Sequence, residues 1–204
     1  RYSNIEPDRD SSGVLLSWSG SMFEYLMPPL VMQERVGGIL NQSNAMAVAV
    51  QIQHGNRLGI PWGVSESAFN ARDREMNYQY YAFGVPVPEL GLKRTVGQDV
   101  VVAPYATLLA SQIRPHAAVA NLRRLEKMGA FGPQGAYDAV DFTPSRLQEG
   151  AKYAVVRNYM AHHHGMSIVA IGNSILDGIH RTRFHDDPVI KAAELLLSLI
   201  HISE

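Results

Sequence analysis

The sequence predicts an all-α domain, and three observations support this prediction. Several segments place apolar residues at helical spacing, proline or glycine marks most of their ends, and alternating strand patterns are scarce. With 204 residues and 46% hydrophobic content, the chain is long enough to bury one core. Long loops rich in glycine and aromatic residues separate the helices, and such loops are where a helical scaffold carries its binding residues.

Five segments are predicted to form the main helices. The first, 40–58, ends before Gly59 and Pro61, which prevent its continuation. Segments 105–113 and 115–128 follow, and the second has apolar residues on one face and charged residues on the other. Segment 162–176 has helical spacing, and Pro188 suits the first turn of a last helix, 188–197.

Two further stretches are less regular. The stretch "GPQGAYDAVDF" (132–142) is predicted to form a short helix between glycines and a turn. The stretch "AFGVPVPELGLKR" (82–94) contains two prolines and two glycines, which favour an irregular loop or a short hairpin. The first residues, 1–16, are predicted to be a polar loop.

Composition excludes several classes of function. Lys+Arg 18 against Asp+Glu 19 gives a net charge of -1, which argues against nucleic acid as a partner. The absence of cysteine excludes disulfides, thiolate nucleophiles and Cys-ligated zinc. The longest apolar stretch, around 100–110, is too short for a membrane helix, so we expect a soluble segment. No phosphate loop, metal-ligand spacing or cofactor lysine motif is recognised, and we predict no cofactor and no metal.

The loops contain side chains that suit sugars. Aromatic rings can stack on the apolar faces of pyranose rings, and planar amides can hydrogen-bond hydroxyls. The candidates for substrate binding are Trp18, Trp62, Tyr78, Tyr80 and Asn70. The alternative from composition alone is a set of core aromatics with capping amides.

Seven blocks of the sequence resemble a known family. They are "SWSGSMFEYLMP" (17–28), "PWGVSESAFN" (61–70), "YQYYAFGVPVPELGLKR" (78–94), "DVVVAPYATLLAS" (99–111), "YDAVDFTPSR" (137–146), "VVRNYMAHHHGMS" (155–167) and "RFHDDPVIKAAELLL" (183–197). In this order they are similar to the glycoamylase-like domain of cyclic β-1,2-glucan synthases. Two departures are His164 in place of a usual glutamine and Asp138 in place of a longer acid.

The resemblance implies part of an (α/α)6 toroid whose long loops form the cleft. Twelve helices need more than 204 residues, so residues 17–197 resemble only the latter half of such a domain. Residues 198–204 differ from the family's continuation and are expected to be a non-native tail. In the family, the domain lies between a membrane-embedded glycosyltransferase and a phosphorylase-like domain, which implies a cytoplasmic domain of a bacterial inner-membrane protein.

The same resemblance implies cyclisation of linear β-1,2-glucan by retaining transglycosylation, with hydrolysis and non-catalytic glucan binding as alternatives. Either reaction needs two carboxyl groups flanking the scissile bond. Glu66 is our first candidate, because Trp62 can stack a sugar beside it and Ser65 can orient it. By resemblance, one catalytic glutamate falls on this block and its partner lies upstream of Arg1. The alternative for Glu66 is a solvated residue at a helix start.

Other acids and a histidine run have open assignments. Ser21 and Glu24 match an S-x-x-E capping box, and Glu24 is either a cap, a sugar contact or a proton donor. Asp138 is either a hydroxyl-binding acid or a solvated one. Three consecutive histidines in a helix point about 100° apart and cannot close on one metal ion. His162 and His163 are therefore candidates for sugar contacts or for a buried structural role.

Overall fold

A computed structural model describes residues 2–4, 13–85, 90–92 and 99–199 of the chain. Within these residues, each of the five predicted helices is present and two short ones are added. They are α1 (Met22–Leu26), α2 (Ile39–Leu58), α3 (Pro104–Ala110), α4 (Pro115–Lys127), α5 (Ala161–Ile175), α6 (Ile179–His185) and α7 (Pro188–Leu199). Two 3₁₀ turns are Pro28–Leu30 and Pro144–Arg146.

Short antiparallel strands lie between the helices, so the all-α prediction is wrong. They are β1 (Tyr2–Asn4), β2 (Gly13–Leu15), β3 (Ser67–Arg72), β4 (Tyr78–Tyr81), β5 (Val101–Val102), β6 (Phe131–Gly132), β7 (Gly135–Ala136), β8 (Ala139–Asp141) and β9 (Ala154–Val156). Strands β1 and β2, β3 and β4, and β6 and β7 form pairs, while β5, β8 and β9 form one sheet with β8 in the middle. The described residues therefore form a mixed α/β structure.

The predicted helix in 132–142 is replaced by strands. A two-residue turn joins β6 to β7, and Gly135 has a φ of +109°, which a helix does not allow. All three residues of β8 are buried, since this strand pairs with β5 on one side and β9 on the other. Strands of two or three residues are too short to display an alternating pattern, which explains why the sequence did not indicate them.

Helix α3 is the central element of the core. It contacts α1, α4 and α5, and every residue of it except Leu108 is buried. Pro104 occupies its first turn, where the missing N–H costs no hydrogen bond. The largest fully buried side chains around it include Phe83, Met22, Leu26 and Leu109. This core fixes the relative positions of the segments that carry the candidate site.

Two buried amide side chains hold the segment that leads into β3. Gln51 of α2 donates from Nε2 to the Val64 carbonyl and accepts from the Val64 N–H, both at 2.8 Å. Asn121 of α4 pairs with Trp62 in the same way. Its Nδ2 donates to the Trp62 carbonyl at 2.8 Å, and its Oδ1 accepts from the Trp62 N–H at 3.1 Å. Each amide thus pairs with the N–H and the carbonyl of one residue of this extended segment. Residues 62–66 are consequently fixed between two helices.

Some predicted stretches lie partly outside the described residues. Of 1–16, predicted as a polar loop, the ranges 2–4 and 13–15 pair as β1 and β2. Of 82–94, residues 86–89 and 93–94 are not described, and residues 82–85 have no regular structure. Of the expected tail, 198 and 199 end α7 and the others are not described. No described helix is both long and apolar enough to cross a bilayer.

Replacing Gln51 with leucine should destabilise the fold. Gln51→Leu leaves the Val64 N–H buried without a partner and the Val64 carbonyl with only the Met22 N–H, so the free energy of unfolding should fall by about 1–3 kcal/mol. The control is Gln53→Leu, at an exposed position of the same helix, which should change it by no more than about 0.5 kcal/mol. Denaturant unfolding measures both variants, and equal midpoints would contradict the role given to Gln51.

Candidate active site

Glu66 is the last residue of the fixed segment 62–66 and directly precedes β3. Its main-chain carbonyl accepts a hydrogen bond from the Tyr105 hydroxyl at 3.0 Å. Ser65 is fully buried, and its hydroxyl bonds the Tyr105 hydroxyl at 2.8 Å and accepts from the Phe23 N–H at 3.0 Å. Ser65 therefore fixes the main chain beside Glu66, and it does not contact the carboxyl group that it was predicted to orient.

A chain of side chains leads away from the Glu66 carboxyl. The Tyr80 hydroxyl of β4 lies 3.5 Å from Glu66 Oε2 and 3.2 Å from His163 Nε2. On the other side of the imidazole, His163 Nδ1 lies 2.6 Å from Asp138 Oδ1. The structure thus brings together four of the predicted site residues, Glu66, Tyr80, His163 and Asp138, from four separate segments.

The imidazole of His163 is held from several directions. His163 is 1% exposed, and its ring stacks on the Tyr105 ring with centroids 3.7 Å apart and planes at 11°. The other oxygen of Asp138, Oδ2, accepts from the Ala68 N–H of β3 at 2.7 Å. Asp138 therefore accepts one hydrogen bond from the hairpin and binds the imidazole with its other oxygen. His163 has one fixed ring orientation as a result.

Burial and charge act on the titratable groups in a consistent direction. Burial raises the pKa of Glu66, and the nearby charge of Glu24 raises it further, while Tyr80 and His163 oppose these effects. Burial, followed by the charges of Glu66 and Asp138, raises the pKa of Tyr80 well above its ordinary value. Burial also raises the pKa of Tyr105. Both tyrosines are therefore neutral at physiological pH, and Glu66 binds its proton more tightly than an exposed glutamate.

Glu24 has the opposite environment. Ser21 and Glu24 form the predicted capping box at the start of α1. The carboxylate also accepts from the hydroxyls of Ser19 at 2.6 Å and Ser17 at 3.0 Å. Burial alone would raise the pKa of Glu24, but the hydrogen bonds from Ser19, Ser21 and Ser17 outweigh it and lower the pKa. The capping interpretation of Glu24 is confirmed, and this glutamate contributes a fixed negative charge near Glu66.

Three predicted binding residues are occupied by structural contacts. Trp62 is 4% exposed and packs in the core, so the prediction that its indole stacks a sugar is wrong in this structure. The Asn70 amide donates to the Arg146 carbonyl at 2.6 Å, and its N–H donates to Asp141. The Arg72 guanidinium lies 3.9 Å from the centre of the Tyr78 ring and covers that face.

Three other predicted residues are open to solvent. Trp18 is 66% exposed and Tyr80 is 40% exposed. His162 is exposed on the first turn of α5, next to His163, with ring centroids 4.1 Å apart. Partial burial lowers the pKa of His162, and the neighbouring His163 lowers it further, so the ring is neutral near pH 7. These side chains are available to a ligand that approaches Glu66 or Glu24.

The three consecutive histidines point to different surroundings, as the helical geometry predicts. His164 bonds the Ala136 carbonyl at 2.9 Å, while His163 faces Asp138 and His162 faces solvent. Within the described ranges, no group of three or more His, Asp or Glu side chains is arranged to hold a metal ion.

Tyr105 was missed by the sequence analysis. In the sequence it stands in an apolar segment behind Pro104, where it resembles an ordinary core residue. Its hydroxyl bonds Ser65 and Glu66, and its ring stacks on His163. The only signal in the sequence is a polar hydroxyl inside an otherwise apolar helix start.

Comparison with known proteins places the chain in a family. Residues 4–188 match the Glycoamylase family, described as "Putative glucoamylase". The chain belongs to the Glycoamylase family. Over 185 residues, or 91% of its length, it is 65% identical to cyclic β-(1,2)-glucan synthase NdvB of Rhizobium meliloti (strain 1021), and it spans 6% of that protein's length. The resemblance inferred from the seven blocks is confirmed.

Two solved structures share the fold of this Glycoamylase-family chain. One is an endo-β-1,2-glucanase from Chitinophaga pinensis in complex with sophorotriose and glucose, with a TM-score of 0.58 and 18% identity. The other is a "putative glucoamylase" from Bacteroides uniformis ATCC 8492, with a TM-score of 0.56 and 18% identity. The matches cover 91% and 84% of this chain, and 44% and 39% of those chains.

Replacing Asp138 with asparagine should destabilise the site. Asparagine has one acceptor oxygen where aspartate has two, so Asp138→Asn either leaves the Ala68 N–H or His163 Nδ1–H without an acceptor or forces the imidazole into its other tautomer. The free energy of unfolding should fall by about 1–3 kcal/mol. The control is Asp186→Asn, which removes an exposed ion pair with Lys191 and should cost less than about 1 kcal/mol. Thermal unfolding measures both, and an unchanged Asp138→Asn midpoint would argue against this arrangement.

Proposed function

We propose that this Glycoamylase-family chain is part of an enzyme domain that acts on β-1,2-glucan, with Glu66 as one of its two catalytic carboxyl groups. The observation that carries the proposal is the half-buried Glu66 carboxyl beside the partly exposed Tyr80, in an environment that raises the pKa of Glu66. The 65% identity to a cyclic β-(1,2)-glucan synthase supports this choice of substrate.

Glycosidic bond chemistry requires two carboxyl groups whose environments differ. Glu66 has a raised pKa, whereas the nearby Glu24 has a lowered one. The Glu24 carboxylate is already bound by serine hydroxyls and main-chain N–H groups, which leaves it poorly placed to attack a sugar or to transfer a proton. Its charge instead helps Glu66 to hold a proton. We propose that the partner of Glu66 comes from a segment outside this chain.

The proposed reaction is retaining transglycosylation that closes linear β-1,2-glucan into a ring. In such a reaction one carboxylate forms a covalent glycosyl-enzyme, and a hydroxyl of the same glucan then displaces it. A separation of about 5–5.5 Å between the two carboxyl groups supports retention, and about 6.5–9.5 Å supports inversion. Trp18, Tyr80 and His162 are the exposed side chains that we propose to contact the glucan.

The setting of this domain follows from the same relative. The chain corresponds to 6% of the synthase, which supports flanking domains in the natural protein. We propose a glycosyltransferase and a phosphorylase-like domain as these neighbours, with this segment on the cytoplasmic side of a bacterial inner membrane.

Glu66→Gln in the natural full-length protein should abolish cyclisation. The amide can neither attack the anomeric carbon nor transfer a proton, so formation of cyclic product should fall by about 100-fold or more. Linear β-1,2-glucan is incubated with each protein, and mass spectrometry detects rings as products lighter by one water than the linear chain of equal length. The matched control is Glu75→Gln, an exposed glutamate between β3 and β4, which should cyclise like the wild type.

The products separate the possible outcomes. Undiminished cyclisation by Glu66→Gln would falsify the catalytic assignment of Glu66. Shorter linear products without rings in the wild type would instead identify a hydrolase, in which water opens the intermediate. Glucan binding without turnover in the wild type would leave only a binding role. Proton NMR of the first-formed products reports whether the anomeric configuration is retained.

A further inference from the structure

The contacts beyond Glu66 form a continuous path for a proton. The Tyr80 hydroxyl lies 3.5 Å from Glu66 Oε2 and 3.2 Å from His163 Nε2. His163 Nδ1 in turn lies 2.6 Å from Asp138 Oδ1. A tyrosine hydroxyl has one proton, so Tyr80 can donate to only one of its two neighbours at a time. The path therefore has two complete arrangements of protons.

The first arrangement has a protonated Glu66 and a neutral His163. Glu66 donates to the Tyr80 oxygen, Tyr80 donates to Nε2, and Nδ1–H donates to Asp138. The second has an ionised Glu66 and a protonated imidazole. Nε2–H then donates to the Tyr80 oxygen, and Tyr80 donates to the Glu66 carboxylate. Every donor has an acceptor in both arrangements, and both have the same net charge.

We propose that Tyr80 and His163, with His163 held by Asp138, form a relay that moves a proton between the Glu66 carboxyl and the His163 imidazole. The proposal rests on the proposed catalytic role of Glu66 and adds a means of setting its protonation state. His163 and Asp138 are positioning residues in this scheme, because they act on the reaction through Glu66, whereas Tyr80 is also one of the side chains proposed to contact the glucan.

The transfer balances without any further reactant. The O–H bond of Glu66 breaks as its proton passes to the Tyr80 oxygen, and the O–H bond of Tyr80 breaks as its proton passes to His163 Nε2. The products are a Glu66 carboxylate, a neutral Tyr80 and an imidazolium whose positive charge faces the Asp138 carboxylate. The reverse movement returns the proton to Glu66, so the relay can serve a nucleophile or an acid/base.

The surroundings hold the imidazole in position for this transfer. Asp138 and the stacked Tyr105 ring fix the orientation of His163, so that Nε2 faces the Tyr80 hydroxyl. Tyr80 itself stays neutral, because its own pKa is far above physiological pH. Among the described residues, the titratable or charged groups that face Glu66 are Glu24 from α1, Tyr80 from β4, Tyr105 from α3 and His163 from α5. Those that face His163 are Tyr80, Tyr105, Asp138 before β8, and His162 from α5.

The test is the pH dependence of kcat/KM in Tyr80→Phe of the natural full-length protein, with linear β-1,2-glucan as substrate. The variant keeps the ring and removes only the bridging hydroxyl. In the wild type, the hydrogen bond from this hydroxyl stabilises the ionised form of Glu66. The pKa of Glu66 should therefore rise, and the limb of the profile that Glu66 controls should move to higher pH by about one unit. This direction is the same whether the ionised or the protonated Glu66 is the active form.

Tyr81→Phe is the matched control. Tyr81 is the next residue of β4 and has the same 40% exposure. In Tyr81→Phe, the limb of the kcat/KM profile should stay at the wild-type pH. An unmoved limb in Tyr80→Phe, or an equal shift in both variants, would overturn the relay. Glu66→Gln, run in parallel, separates this failure from a wrong function. Loss of turnover in Glu66→Gln together with an unmoved limb in Tyr80→Phe rejects the relay alone, whereas an active Glu66→Gln rejects both proposals.

Discussion

The site depends on two buried amides that pair with the main chain of one extended segment. Gln51 and Asn121 come from different helices, and they saturate the polar groups of Val64 and Trp62 as a neighbouring strand would. Glu66 follows two residues after Val64, so its position is set by α2 and α4 together. Two helices can in this way fix an extended segment without a large sheet around it.

Glu24 and Glu66 show how environment separates residues of the same type. Glu24 is surrounded by donors and is held as a carboxylate, whereas Glu66 has one weak donor and is half-buried. The negative charge of Glu24 then favours the protonated form of Glu66. Glu24, which caps α1, therefore also acts electrostatically on Glu66.

The sequence predicted the long elements and failed on the short ones. Helix α4 is 13 residues long with a clear amphipathic pattern and glycine and proline boundaries, and it was predicted within one residue. Strands such as β7 and β8 have two or three residues and depend on partners elsewhere in the chain, so no local pattern indicates them. At the site, the residue types around Glu66 were predicted, but Trp62 stacking was not supported and Tyr105 was missed. Both failures concern burial, which tertiary packing decides.

The contacts that join the β3–β4 hairpin to Asp138 and His163 also constrain the order in which the protein can fold. Tyr80 and His163 are 83 positions apart in the chain, and Asp138 and Ala68 are 70 apart. Closing such long loops costs conformational entropy before the contacts compensate for it, so contacts of this kind form late. The hairpin and helix α5 can each form early, but the imidazole is enclosed only once they dock.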